Sequence, residues 1–543
     1  MSGTTFTAID LYAGAGGWAC GLRMAGIDVQ RSYEWWPPAA RTSAENNQHD
    51  VVVGDIRQLD LATLPTDVDF VVGSPPCTEF SYSNRGGGGD IADGLKDIRK
   101  FLEIVEHVRP RAWVMENVPR VAKVLTRELS PGGSLEQFAD LVQVIEVVDA
   151  SQWGVPQRRK RMIAGNFNMD TLQSYRGVSP ALTLGDVVAT LAEGVRDPVY
   201  GWALDTSPLT DHVKEAPLTE EERRMNHDSK RFHRFYNQMA FPEPLDKSAR
   251  TITALCTRVS RESLIIEDAG QFRRLTVREK ASIQAFPVHY QIFGESSSIK
   301  TKQVGNAIPP LLTFYIGHAL RGTPVSQVAL PSSPPAFAAP TPSATPPLPR
   351  GTFRAQRSFA AALPHLRFGS GTRLQLANSW EHNQDTPIWE ISFHYPPAKT
   401  APVPLTGDLV ARIRQVGDLS GWVDSTCAAT QTALKSFTSN PQEMQALWLS
   451  SNMSHGPFGV VDTLGRVARN IRETLPDVSS DEWVTVGDLL TGAPPGTPAR
   501  RMHKFYDNAP MILSGAIVGT VFNEWIAPPP RSVSRTTPAP LDT

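Results

Sequence analysis

The 543-residue sequence has only four cysteines, Cys20, Cys77, Cys256 and Cys427, and no two of them stand at the spacing of a metal-ligand pair. This excludes a disulfide framework and a structural zinc site, and makes a reducing, cytoplasmic setting the expectation. No apolar run approaches the length of a membrane span, and the first residues lack a signal-peptide core, so no membrane association is expected. Neither sign of charge dominates: 53 Lys and Arg against 55 Asp and Glu leave a formal net charge of -2. A globally basic nucleic-acid binder is thereby excluded, although a local basic face is not. Charge is almost missing from Thr323 to Arg350, where Pro, Ala, Ser and Thr dominate, as in a semi-extended, disordered linker. The remainder, at 41% hydrophobic and 20% charged overall, has the composition of soluble globular protein, and the length calls for two to four domains.

What is present begins as alternating strands and helices. Strands are expected at Phe6 to Leu11, Ile27 to Tyr33, Val51 to Val53, Phe70 to Val72 and Ala112 to Met115, with a helix from about Leu95 to Val108. Such βαβ rhythm predicts a parallel sheet covered by helices on both faces. Each strand end carries chemistry. A glycine loop, Tyr12-Ala-Gly-Ala-Gly-Gly17, follows the first strand and lets a ligand approach the backbone at a helix start. Glu34-Trp35 closes the second, placing an acid where it can accept hydrogen bonds from ribose hydroxyls. Asp55-Ile56 follows the third, with Asp55 placed for an adenine amino group. Singly these signals are weak; in this order they indicate a nucleoside cofactor.

The fourth strand runs into Gly73-Ser-Pro-Pro-Cys77, and the two prolines hold the thiol on a stiff ledge beyond the carboxyl end of the sheet. The loop from Ser81 to Asp93 is glycine-rich and is read as a lid. Glu116-Asn-Val118 ends the fifth strand. Further on, Gln157, Arg159 and Arg161 alternate, which would put them on one side of an extended strand, and an exposed basic strand is the bland account of that pattern. In Arg274 to Pro287, Thr276 and Glu279 have the spacing of a capping box. Gly305-Asn306 precedes an apolar helix through Leu320.

In this combination the chain resembles the DNA cytosine-5 methyltransferase family of bacterial type, over residues of about 6 to 170 and 270 to 320. The glycine loop, Ser74-Pro-Pro-Cys77, Glu116-Asn117-Val118, Gln157 with Arg159 and Arg161, and Gly305-Asn306 match its motifs in order, although the family more often has Phe at Tyr12. The resemblance implies an α/β, Rossmann-like methyltransferase fold dependent on S-adenosylmethionine, with an inserted target-recognition region; outside the resemblance, the aromatic and apolar content of Gly351 to Ile526 makes a separate C-terminal domain, of α+β type, the expectation. It implies catalytic roles for Cys77, Glu116, Arg159 and Arg161. It implies a cofactor pocket at Tyr12, Gly14, Gly16, Glu34, Trp35, Asp55, Ile56, Pro76, Leu102 and Asn306. Ser81, Gln157, Arg231, Arg234 and Thr253 are the expected DNA contacts, and no metal is required.

The implied chemistry is addition of the Cys77 thiolate to carbon 6 of a flipped cytosine, which makes carbon 5 nucleophilic enough to take a methyl group. Partners would be double-stranded DNA and a cognate restriction endonuclease, with the enzyme a monomer. Two alternatives stand beside this: a tRNA cytosine-5 methyltransferase on the same scaffold, and a catalytically silent DNA-binding protein. The expected organisation is a catalytic domain at 1–170 and 270–322, a recognition region at 171–269, a linker at 323–350, an accessory domain at 351–528 and a disordered tail at 529–543. The recognition region turns basic and aromatic at Arg223 to Tyr236, a pattern also open to reading as a solvated charged helix. In the C-terminal part, Trp389 to Tyr395 alternates as a half-buried strand, while Leu409 to Val416 and Val461 to Leu475 read as helices.

Overall fold

The computed structural model describes residues 6–80, 89–205, 209–231, 239–343, 355–368, 372–381, 386–394, 404–491 and 508–526. The chain divides into two compact units, Met1–Leu218 with Pro242–Pro347, and Thr219–Phe241 with Leu348–Thr543. None of the helices among the described residues is long and apolar enough to cross a membrane.

The first unit is built on β1 (Phe6–Leu11), β2 (Ile27–Glu34), β3 (Asp50–Val53), β4 (Phe70–Gly73), β5 (Ala112–Asn117), β6 (Val144–Asp149) and β8 (Lys160–Gly165), with a short β7 (Gln157–Arg158) outside this sheet. Strand order is β3-β2-β1-β4-β5-β8-β6. Strands β1 to β5 run parallel, as their apolar runs predict, but β8 is antiparallel to both β5 and β6, so the sheet is mixed. Local pattern could not reveal this, because strand direction is set by where the chain re-enters the sheet.

Period-two alternation sorts the strand residues to two cores. Ala8, Phe70, Val72 and Val114 face one cluster with α1 (Gly17–Met24) and the apolar α10 (Pro310–Leu320). Ile9, Leu11, Val71 and Met115 face the other, with α3 (Ile91–Val108) and α4 (Arg120–Leu129). Helix α3 starts four residues earlier than its periodicity predicts, because the Asp90 side chain accepts from the Ala92 and Asp93 N–H groups. The expected capping box at Thr276 and Glu279 forms at the start of α8 (Val277–Ile283).

The segment expected as a disordered linker differs where it is described. Trp202 Nε1 donates to Pro331 O at 2.6 Å, Arg23 Nη1 to Ala336 O at 3.2 Å, and the Ser343 hydroxyl accepts from Asp211 N–H at 2.8 Å. The Phe337 ring stacks on His289. A proline-rich strand lacks internal hydrogen bonds, so its carbonyls are free to be taken by a neighbouring surface.

The second unit has a three-stranded antiparallel sheet of β12 (Ala360–Phe368), β13 (Thr372–Ser379) and β14 (Ile388–His394), with β13 in the middle. Around it pack α11 (Gly407–Ile413), α12 (Leu419–Leu434), α13 (Pro441–Leu449), α14 (Pro457–Arg472), α15 (Ser480–Thr491) and α16 (Ala509–Trp525). Helix α16 is apolar on all sides and buried over most of its length. One further helix, α7 (Glu220–Arg231), comes from the middle of the 171–269 segment and belongs to this unit.

Candidate active site

Register decides which residues meet. Tyr33, Leu11, Gly73 and Met115 are Cα partners across β2, β1, β4 and β5, so the carboxyl ends of four strands are level. The next residue on each is Glu34, Tyr12, Ser74 and Glu116, one row along the edge where ligands bind in such sheets. Gly73 is required there: a Cβ would lie 2.3 Å from Leu11 O.

The ledge bearing Cys77 is fastened at each step. Ser74 N–H donates to Leu11 O at 3.1 Å, Trp18 Nε1 to Ser74 Oγ at 3.0 Å, and Asn117 Nδ2 to Pro75 O at 3.0 Å. Cys77 O then accepts from Phe80 N–H in a short turn. Burial pushes the Cys77 thiol above its ordinary pKa and Glu116 pushes the same way, while Arg161 and Arg159 oppose them. The four residues expected to be catalytic are thus brought into one electrostatic cluster.

Within it, Arg161 Nε and Glu116 Oε1 form an ion pair of 2.7 Å, with side chains only 11% and 6% exposed. Arg159 is not part of an exposed basic strand. It is fully buried, and its guanidinium donates to Ile252 O at 3.2 Å and to Gly305 O and Ala307 O at 2.9 Å each. Burial first and the charge of Arg161 second depress its pKa, and three carbonyl acceptors hold the cation in place. Its Nε is buried without a partner among the described residues. Arg159 therefore grips the backbone on both sides of Asn306 and immediately before Thr253. Gly305 allows the approach, since a Cβ there would sit 2.4 Å from the carbonyl carbon of Thr253.

Gln157, Arg159 and Arg161 do not share one strand face: β7 pairs with β9 (Ala249–Arg250), Arg159 bridges, and Arg161 lies on β8. Gln157, expected as a DNA contact, is fully buried, accepts from Ile252 N–H at 3.0 Å and donates to Gln284. Its amide is occupied inside the protein, between the Ile252 backbone and the Gln284 side chain. Thr253 is half-buried and donates to Leu255 O at 2.9 Å. Arg231 is exposed at the end of α7, in the second unit. Ser81, Arg234 and most of the lid loop lie outside the described residues.

On the cofactor side, the Glu34 carboxylate accepts from Gly14 N–H at 2.7 Å and from Trp36 N–H at 2.8 Å, and burial raises its pKa against these bonds. Tyr12, Gly14 and Gly16 all have left-handed φ, of 57°, 56° and 81°. A Cβ on Gly16 would strike Asn47, Tyr290 and Ser43, whereas Gly14 faces open space. Trp35 is 68% exposed. Asp55 is exposed and caps the turn that buries Ile56, Pro76 is half-buried, and Asn306 is exposed. Leu102, expected as an apolar wall, has no exposed surface and belongs to the core with Tyr12 and Ile56.

Sequence reasoning missed several supports. Tyr12 OH donates to Asp97 O, and Arg57 pairs with Asp97 at 2.6 Å and with Asp93 at 3.1 Å, tying the glycine loop and the Asp55 turn to α3. Asp10 is fully buried, and burial first and the Glu34 charge second raise its pKa well above the ordinary carboxylate range, against the opposing pull of the Ala19 backbone. An acid inside the apolar run Phe6 to Leu11 was the available signal for it. Nothing local announces Asn117 or Gln284 as partners.

The family model described as C-5 cytosine-specific DNA methylase matches residues 6–322. The chain is 29% identical to the Type II methyltransferase M.HgiDI of Herpetosiphon aurantiacus over 319 residues, covering 58% of this chain and 93% of that protein. It is 26% identical to the Type II methyltransferase M.Eco47II of Escherichia coli over 343 residues, covering 59% of this chain and 80% of that one. The solved S. pombe Dnmt2 methyltransferase superposes with a TM-score of 0.42 at 16% identity, over 58% of this chain and 98% of its own.

Proposed function

The chain belongs to the C-5 cytosine-specific DNA methylase family and is a DNA cytosine-5 methyltransferase, and on that premise we propose that it modifies a flipped cytosine within a specific duplex sequence through a covalent bond to Cys77. The observation that carries this reading is the arrangement around the thiol: a rigid ledge, two arginines that favour the thiolate, and a carboxyl paired to one of them.

The residues present fit S-adenosylmethionine. Glu34 offers carboxylate lone pairs at a strand end, Trp35 presents an uncovered indole, and Gly14 leaves open space where any side chain would intrude. Tyr12, Gly16, Asp55, Ile56, Pro76 and Asn306 complete the proposed pocket, with Leu102 supporting it from the core. When bound, the cofactor supplies an electrophilic methyl group.

Cys77, as the thiolate, forms a bond from sulfur to carbon 6 of the cytosine. The electron pair of the 5,6 double bond moves toward ring nitrogen 3, where Glu116 donates a proton. The ring is then an enamine, and carbon 5 becomes the nucleophile that takes the methyl group. Loss of the carbon 5 proton to solvent, departure of Cys77 as the thiolate and return of the nitrogen 3 proton to Glu116 restore the aromatic ring and the enzyme. Arg161 holds Glu116 in position and offsets charge on the thiolate. Arg159 holds the loops that carry Thr253 and Asn306. Extrusion of the base exposes both ring faces, at a cost of a few kcal/mol.

The Type II names of the relatives support a place in a restriction-modification system, with a cognate endonuclease as partner of a monomeric, cytoplasmic enzyme. The test is incubation with labelled S-adenosylmethionine and either duplex DNA or tRNA, followed by mapping of labelled bases. Label at carbon 5 of cytosines in one duplex sequence is expected, and label confined to tRNA would overturn the reading. Duplexes carrying 5-fluorocytosine at that site should trap the protein irreversibly through Cys77. Cys77→Ala should transfer no methyl group while binding the cofactor within about 3-fold of wild type.

A further inference from the structure

The second unit does not begin where the first ends. Its helix α7 lies inside the stretch matched by the family, whereas β12 and α14, on which it packs beside its own Phe241, follow residue 354. With the sequence Glu-Glu-Glu-Arg-Arg-Met-Asn-His-Asp-Ser-Lys-Arg, α7 reads alone as a solvated charged helix. Yet Glu221, Glu222, Asn226 and Lys230 are all buried. Buried charge is tolerated only when paired: Glu222 accepts from Thr219 N–H and Lys230 donates to Asn226 within the helix, but the partner of Glu221 is Arg357, from beyond the stretch matched by the family.

Two arginine clamps make the joint. Arg224 forks onto the Asp462 carboxylate of α14 with two bonds of 2.7 Å, and its guanidinium lies 4.1 Å from the centre of the Phe458 ring. Arg357 pairs with Glu221, donates to Trp448 O at 3.0 Å and lies 3.6 Å from the Trp448 ring centre. Phe359, Trp448 and Phe458 pack edge to face beneath them. A planar guanidinium between a carboxylate and a ring face uses properties that lysine lacks.

The excursion also has a defined origin. Leu218 N–H donates to Phe272 O and Glu243 N–H to Ile265 O, both at 2.7 Å. Ile265 and Phe272 stand on the two strands of one hairpin, β10 (Ile265–Asp268) and β11 (Gln271–Arg274). The chain thus leaves and re-enters the first unit at a single hairpin of the recognition region.

We propose that the second unit is a lobe of the target-recognition apparatus for duplex DNA, and that Arg224 and Arg357 are positioning residues that join it to that apparatus. The proposal rests on the reading that the enzyme methylates cytosine in duplex DNA. The core of this unit is formed by residues between Phe359 and Ile526, and Met225 of α7 packs against it. This unit borrows a helix from the recognition region, and that helix keeps Arg223 and Arg231 exposed, where arginines can meet phosphates.

The test uses the full-length protein with Arg224→Glu, Asp462→Arg and the double exchange, together with the milder Asp462→Asn. Four quantities are measured: the KM for duplex DNA, kcat, the mapped methylation sites, and cofactor affinity. Each single reversal should raise the KM about 10-fold or blur the mapped sites, with kcat and cofactor affinity within about 3-fold, and the double exchange should restore both. Asp462→Asn should move the same quantities less. Singles that keep the wild-type KM and sites would overturn the lobe while leaving the methylation reading intact. Loss of cofactor binding in every variant, Asp462→Asn included, would also overturn it, because the second unit would then be a general scaffold. A wild-type protein that labels no duplex DNA removes the underlying reading and the lobe with it.

Discussion

Replacing Glu116 by Gln should move two properties of Cys77 in opposite directions. Glu116 is one of two influences that raise the Cys77 pKa, the other being burial, while Arg161 and Arg159 lower it. Removing the carboxylate charge leaves both cations, so the thiol pKa falls. For each unit of that fall the thiolate fraction rises about 10-fold at a pH below the pKa. Intrinsic nucleophilicity drops with a Brønsted slope of about 0.4–0.5, so alkylation of Cys77 should be net faster by about 3-fold per unit. Methyl transfer should nevertheless fall by about 100- to 10,000-fold, the range of a lost general acid, because Gln cannot protonate ring nitrogen 3. The fold should tolerate the change: the Gln carbonyl can still accept from Arg161 Nε, which now bonds Glu116 at 2.7 Å. The loss should be about 1–2 kcal/mol, less than that of stripping one partner from a buried pair. The assay is iodoacetamide alkylation against pH, read at the Cys77 peptide because Cys256 and Cys427 are also partly accessible, alongside single-turnover methyl transfer. The sign is fixed by the nucleophile being the deprotonated form: alkylation is complete above the thiol pKa, fades as pH falls through it, and the variant curve should lie to the acid side. Slower alkylation than wild type, or transfer within about 10-fold of it, would refute the roles assigned to the cluster.

Arg159→Met removes charged donors from Ile252 O, Gly305 O and Ala307 O; with part of the loss offset by no longer burying a cation, urea denaturation should show about 3–4 kcal/mol less stability, and a change under about 1 kcal/mol would mean the loops hold themselves. Gly305→Ala forces a Cβ to 2.4 Å from the Thr253 backbone, so a loss of about 1–3 kcal/mol is expected from thermal or urea unfolding, together with weaker DNA binding. Trp35→Ala, at a residue 68% exposed, should leave stability within about 0.5 kcal/mol. Calorimetry should show S-adenosylmethionine bound about 10-fold more weakly, as for loss of a stacked ring, and unchanged affinity would remove Trp35 from the pocket.

The parts of this protein legible in the sequence are those governed by neighbours in the chain. Strands β1, β4 and β5 lie within a residue or two of their expected bounds, because an apolar run ended by Gly, Pro or a polar cluster is a local signal. The Thr276 capping box is local for the same reason. The residues of the candidate site were legible as a set because a parallel sheet brings successive strand ends to one edge, so Glu34, Tyr12, Ser74 and Glu116 needed only the strand assignment to be placed together. Contacts between segments far apart were not legible. The reversal of β8, the burial of Arg159 among carbonyls about a hundred residues or more away, and the packing of the proline-rich segment all depend on partners that no window of sequence contains. The same holds for α7, whose charges signal solvent until Asp462, Arg357 and their aromatic neighbours are beside it. By itself the sequence determined which chemical groups stand at the strand ends; the tertiary structure alone decided which charges are desolvated, and hence which arginine holds the frame and which faces the thiol, because desolvation depends on everything packed around a group.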